Sequence, residues 1–186
     1  MNTESIAAET PTLEIKEAYR NYVPPVDAAG LVKQLLGAVP GKYLTGLDCI
    51  VLTNEAGLSR KDRVGSVWSR KRKFSKSRIR GRYHGSTRSS RPYIELRVDK
   101  ILQSLSGISR RIPIAREILF GHVLYHEIGH HIHRTLRPEY HEREDVADNW
   151  AGKLNANFIR RKYWYAVPLL LAASKFYKLL KPKRGA

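Results

Sequence analysis

His126-Glu127-Ile128-Gly129-His130 holds two imidazoles four residues apart, with a carboxylate beside the first. On a helix, positions four apart lie one turn above one another on the same face, so both rings can grip a single ion. Glu127 then lies about 100° round the axis, beside the ion rather than on it. A carboxylate in that place can take the proton of a water that the ion has acidified, which is why the spacing recurs in zinc hydrolases. The bland use of the same residues is a His-rich surface helix that holds no metal.

A catalytic zinc ion generally takes three protein ligands and leaves a fourth position to water. A third histidine six residues after the second, the metzincin arrangement, is absent, because that position is Leu136. The remaining economical source is the acidic stretch that follows. There Val146, Trp150, Leu154 and Phe158 recur every four residues and give a second helix one apolar side. Glu144, in the first turn of that helix, is the preferred third ligand, with Glu142 and His141 as alternatives. Glu142 points roughly 200° away from Glu144, so both cannot face one ion. Asp148, one turn beyond Glu144, can accept the outer N–H of a ligand histidine and fix its tautomer. Glu139, Glu142, Glu144 and Asp145 also suit the positive end of a helix dipole without any metal. Hydrolysis through such a site needs a donor for the developing oxyanion, and Tyr83, His84, Tyr140 and His141 are the candidates. His122, His131 and His133 read as solvated helix residues, with His122 one turn before His126.

These residues need elements to hold them. Pro113 suits the first turn of the metal helix, and Ile114, Ile118, Tyr125 and Ile132 give that helix an apolar face away from the two ligand histidines. Upstream, Arg82-Tyr83-His84 and Tyr93 to Val98 read as two strands of a hairpin, the second alternating Tyr93, Glu95 and Arg97 with Ile94, Leu96 and Val98. Asp99 is expected to cap a short helix through Leu105. Leu47 to Thr53 reads as a buried strand, and Asp27 as the cap of a helix carrying Leu31, Val32, Leu35 and Leu36. Residues 1–25 are expected to form a mobile arm or a peripheral helix, 26–162 the folded domain, and 163–186 a basic amphipathic tail.

The chain has 186 residues, 34 Lys and Arg against 17 acids, and a formal charge of +17. A surface so basic attracts polyanions. Most of the excess lies in residues 60–91, where Trp68, Phe74 and Tyr83 are interleaved with basic residues and Asp62 is the single acid. That pattern suits nucleic acid, through phosphate contacts and base stacking, or else a solvated basic face. Residues 163–181 mix Trp164, Leu169, Leu170, Leu171, Phe176, Leu179 and Leu180 with Lys175, Lys178 and Lys181, which suits a membrane surface or a helix packed on the domain. Cys49 is the single cysteine, so no intramolecular disulfide can form. Met1 to Arg20 lacks the basic and apolar regions of a secretory signal, and the run from Tyr163 to Ala173 is too short to span a bilayer. A soluble protein of a reducing, cytoplasmic-type compartment is expected.

His126-Glu127-Ile128-Gly129-His130, followed fourteen residues later by Glu144-Asp145-Val146-Ala147-Asp148-Asn149-Trp150-Ala151, resembles the gluzincin metallopeptidases that pair H-E-x-x-H with E-x-x-A-D. These include the HtpX-like and CAAX-type proteases, and the small size is more similar to the ImmA/IrrE-type peptidases. The resemblance covers roughly Arg82 to Leu154. The chain lacks the transmembrane helices of the HtpX-like group and any recognisable helix-turn-helix. SprT-type proteases, which act on protein attached to nucleic acid, share the pairing of H-E-x-x-H with basic segments. The resemblance implies zinc held by His126, His130 and Glu144, with Glu127 as general base in peptide-bond hydrolysis. It also implies an α+β, zincin-like fold, expected here as a small, largely antiparallel sheet packed on the metal helix and the Glu144 helix. A protein or peptide substrate is expected to add as an extended strand to the edge of Tyr93 to Val98. The other reading is a basic nucleic-acid-binding module with a non-catalytic zinc site.

Overall fold

The computed structural model describes residues 13–58, 66–69, 72–75, 79–136 and 144–165. Six strands are present among them: β1 (Glu14–Ala18), β2 (Cys49–Thr53), β3 (Ser66–Ser69), β4 (Arg72–Ser75), β5 (Gly81–His84) and β6 (Tyr93–Arg97). Four helices accompany them: α1 (Ala28–Leu36), α2 (Val98–Gln103), α3 (Pro113–Leu136) and α4 (Glu144–Lys162). The class is α+β. None of these helices is long and apolar enough to cross a membrane.

Four strands make one sheet in the order β1-β2-β6-β5, and β3 pairs with β4 as a separate antiparallel hairpin. The sheet is mixed, not largely antiparallel as expected. β1 runs parallel to β2 and β2 parallel to β6, whereas β5 and β6 form the antiparallel hairpin. The cause is the connections. Within this sheet only β5 and β6 are joined by a loop short enough for a hairpin, while α1 carries the chain from β1 back to start β2 in the same direction.

Glu14–Ala18 pairs with Cys49–Thr53, although the sequence places it in the arm over residues 1–25. Its charged and largely exposed residues read as polar chain, yet charge is what keeps an edge strand from pairing further. Beyond it, Asn54 and Arg20 exchange two hydrogen bonds, Arg20 N–H to Oδ1 at 2.9 Å and Nδ2–H to the Arg20 carbonyl at 3.0 Å. The side chain of Asn54 thus extends the strand pairing after the strand has ended.

β6 lies between β2 and β5, so its edges are taken. The expected strand addition along Tyr93 to Val98 is therefore excluded, and β5 is the edge strand at this side of the sheet. Asp99 lies within the first turn of α2 rather than capping it, and its Oδ2 accepts the Glu55 amide at 3.1 Å. Asp27 does cap α1, its Oδ1 accepting the Gly30 amide at 2.7 Å.

The core joins Ile50, Leu52, Ile94 and Leu96 of the sheet to Leu35 of α1 and Phe120, Leu124 and Ile128 of α3. In α3 the buried stripe includes Tyr125 and Ile132 as expected, but Ile118 is 43% exposed. The Tyr125 hydroxyl donates to the Leu35 carbonyl at 3.0 Å, a second bond beside the one that carbonyl accepts from the Ala38 amide, and so ties α3 to the end of α1.

Candidate metal centre

α3 and α4 run antiparallel. Glu117 meets Lys162, the Asn155 amide donates to the Ile118 carbonyl, and Gly129 lies against Ala147. That last contact sets the spacing between the helices. A Cβ on Gly129 would stand 2.8 Å from Ala147 Cα and 2.9 Å from its carbonyl oxygen, so the two backbones approach as closely as small residues permit. The buried stripe of α4 is accordingly Ala147, Ala151, Leu154 and Phe158, with Val146 and Trp150 only half-buried.

This close approach carries the first turn of α4 to the histidines. Ligand atoms of His126, His130 and Glu144 all lie within 4.8 Å of one another. His126 Nε2 is 3.1 Å from His130 Nε2 and 3.4 Å from Glu144 Oε2. Corners of a tetrahedron drawn about an ion with bonds near 2.0–2.1 Å are about 3.3–3.4 Å apart. The donor set could hold one metal ion. His126 Nδ1–H donates to Asp148 Oδ1 at 2.9 Å, which leaves the Nε2 lone pair facing the cluster.

Glu127, next to His126 on α3, is buried and turned toward β5. Its Oε2 accepts the Tyr83 amide at 2.7 Å. In the antiparallel pairing of β5 with β6, the Arg97 amide bonds the Arg80 carbonyl, so the amides of residues 81 and 83 face the open edge. Gly81 makes the approach possible. A Cβ there would meet Val123 Cγ1 at 2.7 Å and Glu127 Oε1 at 3.0 Å.

The proposed oxyanion donors are placed differently. The Tyr83 ring packs on His131, and its hydroxyl is 3.3 Å from His131 Nδ1. His84 falls on the opposite face of the sheet from α3, as strand alternation requires once Gly81 and Tyr83 face the helix. There it stacks on Tyr93 at 4.3 Å, with Nε2 3.6 Å from Glu95 Oε2. Tyr140, His141 and Glu142 lie outside the described residues.

His122 is exposed, but His131 and His133 are buried rather than solvated. α3 is covered on several sides, so an outward-looking sequence position is still interior. His131 Nε2–H donates to the Thr45 carbonyl at 3.0 Å, tying the loop before β2 to α3. Burial pushes its imidazole pKa down, and the bond to Thr45 opposes this.

Residue patterns could not reveal the Tyr83 amide, since a backbone donor carries no side-chain signature. Gly81 within a β-patterned stretch and Gly129 within the histidine motif were the available signals. A scan of protein-family models, a search of curated proteins and a search of solved structures each return no match.

Proposed function

We propose that the protein is a zinc-dependent metallopeptidase of the gluzincin type. The observation that carries this reading is the convergence of His126, His130 and Glu144 on one point, with Glu127, the next residue after His126, bound to an edge strand. Two imidazole nitrogens and one carboxylate are the donors that a catalytic zinc site uses, and three ligands leave room for water. His126, His130 and Glu144 would hold the zinc ion, which would supply Lewis acidity toward a water, lowering its pKa to ~7, and toward the scissile carbonyl.

The chain's own groups do the rest. Asp148 orients the His126 ring and keeps the proton on Nδ1. Glu127 takes the proton of the attacking water and returns one to the leaving amine, a role worth about 10²–10⁴-fold in rate. The Tyr83 amide holds its carboxylate against β5, so the base is oriented before substrate arrives. An extended peptide laid along the edge of β5 passes beside Glu127, pairing through the outward groups other than the Tyr83 amide, which Glu127 holds.

The test is zinc content and proteolysis of an unstructured protein mixture, measured on the wild type, Glu127→Gln and Glu144→Ala. One zinc in wild type and Glu127→Gln, weaker retention in Glu144→Ala, and cleavage by wild type alone are expected. A folded, metal-replete wild type that holds no zinc would defeat the proposal.

A further inference from the structure

Beside the metal cluster, β5 and the loop after it border an open polar cavity of about 420 Å³. Its walls include Arg82, His84 and Arg134, with Ser86, Thr87 and Ser90 of the loop. Arg134 comes from the last turns of α3. Its guanidinium carbon lies 6.0 Å over the Tyr83 ring, and its side chain rests against the Gly85 backbone. Among the described residues no carboxylate forms an ion pair with Arg134. The loop hydroxyls are also fixed, since Thr87 Oγ1 accepts the Ser90 amide at 3.1 Å and lies 2.8 Å from Ser90 Oγ.

We infer that this cavity is a substrate subsite for a carboxylate, making acidic peptides the preferred substrate class. The inference rests on the peptidase reading of the metal cluster. Tyr83 links the two places, because it walls the cavity while its amide binds Glu127. A strand advances about 3.3 Å per residue, so the Gly85 end of the cavity is about two residues along the edge from that amide. A peptide paired with β5 therefore brings a side chain two or three residues from the cleaved bond over the cavity. Guanidinium groups bind carboxylates through paired N–H donors, and neighbouring hydroxyls add further donors. The carboxylate is an Asp or Glu side chain or the free C-terminus of a short peptide.

Two measurements test this. The first is the cleavage profile of wild type and Arg134→Gln on a peptide mixture, with C-termini either free or amidated. Wild type is expected to favour Asp and Glu two or three residues from the cut, or a free C-terminus in that register; Arg134→Gln should lose about tenfold of that preference while still cutting neutral sequences. The second needs no hydrolysis. A fluorescein-labelled, end-capped peptide carrying two Glu residues, its Gln counterpart and an uncapped Gln peptide with a free C-terminus are bound to zinc-loaded Glu127→Gln protein. The same titrations are run with Arg134→Gln or Arg88→Gln added. Arg88 is exposed on the same loop but outside the cavity, so its variant makes the same charge change without touching the site. Preference for a carboxylate that survives Arg88→Gln and is lost in Arg134→Gln supports the subsite. Equal binding of all three peptides, or equal loss in both variants, overturns it, because the +17 surface would then account for the attraction. Failure of cleavage together with retained carboxylate discrimination would count against the peptidase and not the subsite.

Discussion

The Tyr83 amide donates to Glu127 Oε2 at 2.7 Å, joining an edge strand to the acid that follows His126. The contact depends on a residue two positions earlier. A Cβ on Gly81 would meet Val123 Cγ1 at 2.7 Å, which forces a shift, and Glu127 Oε1 at 3.0 Å, which crowds the carboxylate. Gly81→Ala is expected to leave zinc content unchanged and to lower the cleavage rate by about 10–100-fold, the scale of a roughly 1 Å misplacement of a reacting group. Zinc analysis and steady-state rates on the same preparation check it. A variant with full activity would show that the position of Glu127 is not set by β5.

Gly129 bears on the His126, His130 and Glu144 group instead of on Glu127. Its Cα faces the Ala147 backbone, and that contact holds the first turn of α4 at His126. Gly129→Ala must move α4 outward, because the nearest atoms are backbone and cannot swing aside. Weaker zinc binding is expected, with Glu144 withdrawn from the two imidazoles while His126 and His130 stay one turn apart on α3. Competition against a chromogenic chelator gives the affinity, and circular dichroism confirms that the helices persist. Unchanged affinity in a folded protein would refute this role for the helix contact.

The parts of this arrangement that could be read from the sequence are those set within single elements. Four-residue spacing fixes where His126 and His130 point on any helix, and the same rule places Asp148 one turn beyond Glu144. The hairpin of β5 and β6 was legible for the same reason, through alternation and a short loop. Parallel pairing of β1, β2 and β6 was not, since it depends on the paths of the long connections and not on strand composition. The β1 strand was hidden by its charges. His131 and His133 were misread because amphipathic reasoning assumes one buried face, whereas α3 is covered by β5, β6, α1 and α4.

Asp148 gives a graded prediction. Its carboxylate accepts the Nδ1 proton of His126 at 2.9 Å, and Asn at that position keeps an oxygen acceptor while losing the charge. Asp148→Ala is expected to weaken zinc binding by about 10–100-fold, and Asp148→Asn by less. Zinc titration of the three proteins at one pH gives the order. Equal affinity in wild type and Asp148→Ala would mean that His126 is oriented by its packing alone.

At the far end of the same helix pair, Glu117 is buried and accepts two short bonds, from Lys162 Nζ and from the Tyr163 hydroxyl, both at 2.7 Å. Burial, reinforced by the Glu117 carboxylate, pushes the Tyr163 phenol up to about 12 from its ordinary 10.0. Below pH 10 the phenol is protonated whether the chain is folded or not, so its bond contributes fully. Between pH 10 and 12 the unfolded chain loses that proton first. The native state then holds more protons than the unfolded one, and stability falls as pH rises. Tyr163→Phe removes the bond and is expected to cost about 1 kcal/mol at pH 8. Lysines titrate in the same alkaline range, so the informative quantity is the difference between wild type and Tyr163→Phe. Urea denaturation at pH 8, 10 and 11.5 should show that difference shrinking at the highest pH. A difference that stays constant to pH 11.5 would mean that Tyr163 contributes packing and not a proton-dependent clamp between α3 and the end of α4.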